Sequence, residues 1–316
     1  MGDKKGYCIH DDLCREGKIT REFCAHIFIT KKDGMFLQSD ASILPQGENL
    51  PKVRNGTITF IEYQGNVYGI TCGHVLDALG SINKANEIEM SKYCELPLPP
   101  IAQYHFFVSI DKQQHHVRGN FYKVPAEYGV PAPDIAIARL PSEFLLEIGR
   151  KCIKINSWPD EYILQDPYLT GVACGYPEMN RTSNETDVSG INTLGKRFVS
   201  LVARFDSFSK ERVRIIDQIT ETNGVNVLSG MSGGPLFWNT EKIWGLAGII
   251  KEGGDLNPNI QTEDNGANAA RINIVAEPLP PEKFACWVKQ LPVEEFPMSL
   301  SSRIFIPEGF RGFKYG

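Results

Sequence analysis

Three short segments of this 316-residue chain carry residue types that together do acyl-transfer chemistry. The first is Ser229-Gly230-Met231-Ser232-Gly233-Gly234-Pro235, a serine set among glycines just before an apolar strand. Such glycines allow a tight turn that lifts one hydroxyl clear of the backbone, and Pro235 stiffens the exit. The same turn can aim the amide N–H groups of Gly230 and Ser232 at one point, where they would stabilise the oxyanion of a tetrahedral intermediate. A serine used this way needs a base. His74 follows the apolar run Tyr68-Gly69-Ile70-Thr71 and precedes a short helix, a place where a rigid scaffold can hold an imidazole at a cleft. Asp134 heads the segment Asp134-Ile135-Ala136-Ile137-Ala138. A carboxylate leading into a buried strand needs a partner, and an imidazole N–H is a good one. Roles then follow: Asp134 fixes the tautomer of His74, His74 takes the Ser232 proton, and the two amides hold the oxyanion. Each residue alone has an ordinary reading, as a strand cap, a turn serine or a satisfied histidine. Their order and shared strand context make the set specific. The competing imidazoles His115 and His116 are read as lying in a polar hairpin loop.

The elements that must position these residues are short and mostly extended. Thr57–Tyr63 and Val67–Thr71 flank the turn Gln64-Gly65-Asn66 as a hairpin, and a helix is expected over Val75–Leu79. A second hairpin is expected from His105–Ile110 and Val117–Val124, then a strand over Asp134–Leu140. Further strands are read at Tyr168–Pro177, Phe198–Phe205, Arg212–Ile216, Ile243–Ile250 and Arg271–Val275. Glu282–Leu291 reads as a helix, entered through Pro280-Pro281 and apolar at 284, 287, 288 and 291. Many short strands with one late helix predict an all-β protein of paired antiparallel barrels. The first 50 residues read as an N-terminal extension with one strand around Cys24–Thr30.

The order His, Asp, Ser, carried by Thr71-x-x-His74-Val75, Asp134-Ile-Ala-x-x-x-Leu140 and Gly230-x-Ser232-Gly-Gly-Pro235, resembles the trypsin/chymotrypsin-like serine peptidases. The flavour is that of the intracellular bacterial and HtrA-like branches, with no PDZ-like module following. The resemblance covers roughly residues 50–292. It implies two antiparallel six-stranded β-barrels, chymotrypsin-like, with a C-terminal helix. Residues 51–150 would form the first barrel and 151–292 the second with the helix, leaving 1–50 as an extension and 293–316 as a tail. It implies a serine endopeptidase that cleaves a specific protein substrate through an acyl-enzyme, with His74, Asp134 and Ser232 as the triad. Asn226 would floor the primary pocket, and the strand ending at Lys251, Glu252 and Gly253 would line it and pair with substrate. A neutral Asn226 argues against a trypsin-like demand for Arg or Lys, although Glu252 on the wall could partly restore it. Met231 stands where trypsin-like zymogens carry the carboxylate that a freed N-terminus pairs with, so a constitutively formed oxyanion site is expected.

Composition narrows the classes further. A formal net charge of −5 offers no electrostatic footprint for nucleic acid or an acidic membrane. Met1–His10 is polar with no apolar run after it, and no stretch has the length of a membrane span, which gives the expectation of a cytoplasmic protein. Its eight cysteines are then expected to be buried thiols and not bridges. No cofactor or metal is expected. Cys8, His10, Cys14, Cys24 and His26 form a loose cluster whose spacing matches no familiar zinc site. The polar loop 252–270 has Ile260 where a calcium loop requires glycine. Two alternatives stay open beside the peptidase: a module of the same fold that binds peptides without cleaving them, and a zinc protein built on the N-terminal cluster.

Overall fold

The computed structural model describes residues 18–30, 43–45, 53–78, 105–110, 113–118, 121–126, 131–155, 158–177, 184–185, 191–193, 198–219, 228–240, 242–254, 260–261, 268–291 and 299–303. In chain order the strands begin with β1 (Cys24–Thr30), β2 (Ile43–Pro45), β3 (Val53–Tyr63), β4 (Asn66–Thr71), β5 (His105–Ile110) and β6 (Gln113–Arg118). There follow β7 (Tyr122–Lys123), β8 (Ala136–Leu140), β9 (Ile153–Lys154), β10 (Thr170–Gly175), β11 (Asn184–Glu185) and β12 (Ile191–Thr193). The last are β13 (Val199–Phe208), β14 (Val213–Ile219), β15 (Pro235–Asn239), β16 (Trp244–Gly253), β17 (Ile260–Gln261), β18 (Asn268–Pro278) and β19 (Ser299–Arg303).

Most of these strands make one closed barrel and one open sheet, and β11, β12 and β2 form a separate three-stranded sheet. In the second half, the order β14-β13-β10-β15-β16-β18 closes on itself because β18 pairs back along β14, from Val213↔Ala276 to Ile219↔Ala270. In the first half the order is β19-β6-β5-β1-β3-β4-β8-β7, with β9 added in parallel to β3. The expectation of two six-stranded barrels is therefore corrected: among the described residues only the second half closes. A physical reason lies at the edges of the first sheet. β7 has two residues and so offers two ladder positions, and the opposite edge is occupied by β19 pairing with β6. The strand expected over 24–30 is present, and it lies between β3 and β5 as a full ladder partner. His115 and His116 also differ from expectation. They sit on β6, opposite Val108 and Phe107, because β6 begins at Gln113 and its ladder with β5 takes in both histidines.

Alternation along the strands assigns side chains to two cores. On β15 all five residues are buried: Leu236 and Trp238 point into the barrel interior with Ile250, Ile272 and Ile274. Phe237 points the other way, into a core shared with Ile58, Phe60 and Ile70 of the first sheet. A strand covered on both faces is what lets the barrel lie against the first sheet with an apolar contact at β15. The helix Pro281–Gln290 starts at Pro281, whose fixed φ suits a first helical position. It seals this shared core with Phe284 and Trp287. The Phe284 ring meets Tyr63 and Tyr68 edge-on, both at 5.5 Å between centroids. Phe284→Ala is expected to cost about 3–5 kcal/mol, the usual range for removing a fully buried phenylalanine, measured as a fall in the urea midpoint at unchanged m-value.

Candidate active site

Strand pairing brings His74 and Asp134 together. β4 and β8 run antiparallel with Thr71 opposite Ala136, so the residues leaving β4 must lie beside those entering β8. Gly73 N–H extends the ladder by donating to the Asp134 carbonyl at 3.3 Å. The chain then turns into a helix over 73–78, with Val75 and Leu76 buried in the first-sheet core. Anchoring those two leaves His74 on the outer side, with its side chain 52% exposed.

Asp134 accepts two hydrogen bonds from the same residue. His74 N–H donates to Oδ1 at 2.9 Å, and His74 Nδ1 lies 2.5 Å from Oδ2. An ionised carboxylate only accepts, so the imidazole proton sits on Nδ1 and Nε2 is left with its lone pair outward. Gly73 makes this approach possible, since a Cβ there would stand 2.9 Å from Oδ1. The hydrogen bond from the His74 ring is the main cause holding the Asp134 carboxyl below its ordinary value of 3.8, against partial burial, which pushes it up. A lowered folded-state pKa stabilises the protein fully above the unfolded value and loses that contribution as pH falls through the folded one. The melting-temperature gap between wild type and Asp134→Asn is therefore expected to persist at neutral pH and narrow as pH is lowered below 3.8. A gap that widens on acidification would contradict it.

Ser232 occupies a double turn. Met231 N–H donates to Leu228 O at 3.1 Å and Gly234 N–H to Met231 O at 2.8 Å. Gly230 (φ 93°) and Gly233 (φ 89°) stand at the third positions of these two turns, where a type II geometry demands positive φ. Tracing the backbone groups of this loop shows what is left over. The carbonyls of Gly230, Ser232 and Gly233 accept from Thr57 Oγ1 (3.1 Å), Thr57 N–H (2.9 Å) and Thr59 Oγ1 (2.7 Å). Gly233 N–H donates to Ile250 O, and Gly234 O accepts from Ile250 N–H, both at 2.8 Å. The amides of Gly230 and Ser232 have no protein acceptor among the described residues. Two uncommitted N–H groups flanking a serine can together bind a developing oxyanion.

The Ser232 hydroxyl itself donates to the carbonyl of Lys251 at 2.9 Å, not to His74. The two parts of the site nevertheless abut: the position a Gly233 Cβ would take lies 2.4 Å from Thr71 Oγ1, three residues before His74. Lys251 is half-buried just after the buried stretch of β16, and Glu252 beside it is exposed. The Lys251 ammonium pairs with Glu277 at 3.2 Å, and Glu277 also accepts from Lys283 at 2.7 Å. Asn226 lies outside the described residues, as do Cys8, His10 and Cys14 of the N-terminal cluster.

Cys72, His74 and Asp134 offer ligand atoms within 4.8 Å of one another. As a metal set they are poorly disposed. Nδ1 and Oδ2 are already joined at 2.5 Å, and the Cys72 thiol donates to Ile250 O at 3.1 Å. Burial pushes that thiol well above its ordinary range, away from the thiolate a metal or a nucleophilic role requires. The five described cysteines are free thiols. Among the described residues no helix is long and apolar enough to cross a membrane.

Sequence reasoning missed Thr57 and Thr59. Their signal was present: two polar residues on one face of a strand whose neighbours are Ile58 and Phe60, all buried. Buried threonines on one face must hydrogen-bond something beyond their own ladder.

No family model matches the chain, and no curated protein matches it. Solved structures do match. The serine protease of a human pathogenic astrovirus superposes with a TM-score of 0.32 at 13% identity, over 81% of this chain and 91% of that one. Protease Anisep from Arthrobacter nicotinovorans gives 0.37 at 13% identity, over 83% and 93%. The HtrA-type protease AlgW, with a decapeptide, gives 0.35 at 10% identity, over 88% and 65%.

Proposed function

We propose that this protein is a serine endopeptidase that cleaves a protein substrate through an acyl-enzyme formed on Ser232. The observation that carries the reading is the paired His74 and Asp134, which keeps the ring proton on Nδ1 and so turns Nε2 to the role of base. The Ser232 hydroxyl rotates from the Lys251 carbonyl toward Nε2 and gives up its proton as Oγ attacks the scissile carbonyl. The carbonyl oxygen, now carrying the charge, is held by the amides of Gly230 and Ser232. His74 then returns the proton to the leaving amine, and water repeats the sequence to release the acyl group. The end of β16, from Lys251 to Gly253, is where an extended peptide would pair, and Asn226 would floor the pocket that takes its side chain. Residues 51–150 and 151–292 act as the two halves of the cleft, with no cofactor, in the cytoplasm.

The test is labelling by a fluorophosphonate probe, which phosphonylates an activated serine. Wild type is expected to be labelled and Ser232→Ala not at all. Failure of wild type to label would remove the peptidase reading and leave a peptide-binding module of the same fold.

A further inference from the structure

Two amides left without an acceptor among the described residues need a reason to stay so before substrate arrives, because each belongs to a peptide plane that can flip. In the 228–231 turn, a flip of the 229–230 plane would replace the Gly230 N–H with the Ser229 carbonyl and turn a type II geometry into type I. The neighbouring 230–231 plane, which leads into the serine, is tied at both ends, and this fixes how the turn sits against the first sheet. Its carbonyl, Gly230 O, accepts from Thr57 Oγ1, and its N–H, on Met231, donates to Leu228 O. The Thr57 hydroxyl has one proton, and its direction is forced. Tyr176 N–H donates into Oγ1 at 3.1 Å, which leaves the hydroxyl proton for Gly230 O. Thr57 is wholly buried, so water does not substitute for it. Its own carbonyl is held by Thr71 Oγ1 at 2.8 Å, on the segment that leads to His74. Thr59 does the same for the 233–234 plane on the other side of the serine. Met231 adds no charge to this arrangement; its side chain is buried in the barrel core.

We propose that Thr57 and Thr59 are positioning residues that hold the Ser232 turn with the Gly230 and Ser232 amides unpaired in the resting protein. They act from the first sheet, so the anion-binding loop of the barrel is ordered across the contact between the two halves with no ionic switch. This rests on the serine-peptidase reading for its catalytic consequence, though the ordering of the loop can be measured without it. The decisive variant is Thr57→Val, which keeps the branched shape and the backbone N–H to Ser232 O but removes the hydroxyl; Thr57→Ser restores it.

Two measurements test the proposal: the acylation burst with p-nitrophenyl acetate and amide hydrogen exchange across 228–234. Thr57→Val is expected to slow the saturating burst rate about tenfold to a hundredfold, somewhat less than deletion of an oxyanion donor. The half-saturating ester concentration should stay within about threefold, and Thr57→Ser should recover most of the rate. Exchange across 228–234 should speed up in Thr57→Val while β10 and β18 keep their protection. An unchanged burst rate together with unchanged exchange would overturn the proposal. Should Thr57→Val lose protection throughout the barrel, Thr59→Val, which frees only the Gly233 carbonyl, decides by the same two outcomes. Should wild type show no burst, the peptidase reading fails, and the exchange comparison alone decides whether the threonines order the loop.

Discussion

Asp134→Asn is expected to leave the fold intact and to lower kcat by about four orders of magnitude, the size of effect known when a triad carboxylate becomes an amide. The backbone bond decides which way the amide sits. His74 N–H donates to Oδ1, so an asparagine places its carbonyl oxygen there and its NH2 at the Oδ2 position. That NH2 faces His74 Nδ1, which can now only accept, and the ring proton moves to Nε2. The imidazole is still present and still oriented, but the nitrogen that should take the Ser232 proton already holds one. Because the Asp134 side chain is 37% exposed, the loss of charge itself is largely screened and costs little stability. A large fall in kcat with only a small melting-temperature gap from wild type at neutral pH, the gap that narrows on acidification, is therefore the expected signature. An Asp134→Asn protein that keeps more than about a tenth of the wild-type rate would mean that the carboxylate does not set the tautomer.

His74 and Asp134 are legible in the sequence because each stands at the end of a strand with an apolar pattern of its own. The register Thr71↔Ala136 then makes their meeting a local consequence of one antiparallel pair. The glycines of the Ser232 turn are legible for a similar reason, since type II turns require them. What is not legible depends on partners far away in the chain. Closure of the barrel is made by β14 finding β18, and nothing within either strand says that they pair. The open first sheet turns on β1 entering between β3 and β5, which no short-range pattern distinguishes from a strand at an edge. Thr59 lies 174 residues from the carbonyl it holds; as residue types, Thr57 and Thr59 look only like good strand formers. His115 and His116 are polar residues that read as loop, and only their ladder with Val108 and Phe107 makes them strand.

Gly233→Ala is expected to destabilise the protein by more than about 5 kcal/mol or to prevent folding, a loss comparable with the whole stability of many domains. Two costs combine there. At φ 89° an alanine is strained by about 1–2 kcal/mol. Its Cβ would also lie 1.9 Å from the Thr57 carbonyl and 2.4 Å from Thr71 Oγ1. Backbone cannot yield at that distance, so the turn must withdraw from β3. Withdrawal breaks the bonds from Thr57 N–H to Ser232 O, from Thr59 to Gly233 O and from Gly233 N–H to Ile250 O. Each buried group left unsatisfied costs about 1–3 kcal/mol. Gly65 supplies the control, because it shares a positive φ of 76° but has nothing within 4 Å of its Cβ position. Gly65→Ala should cost only the strain of about 1–2 kcal/mol, so urea denaturation of the two variants separates conformation from crowding. If both cost the same, the turn is not held against β3 in solution. If Gly233→Ala alone collapses the fold, the packing that holds the Ser232 turn on β3 is also part of what joins the barrel to the first sheet.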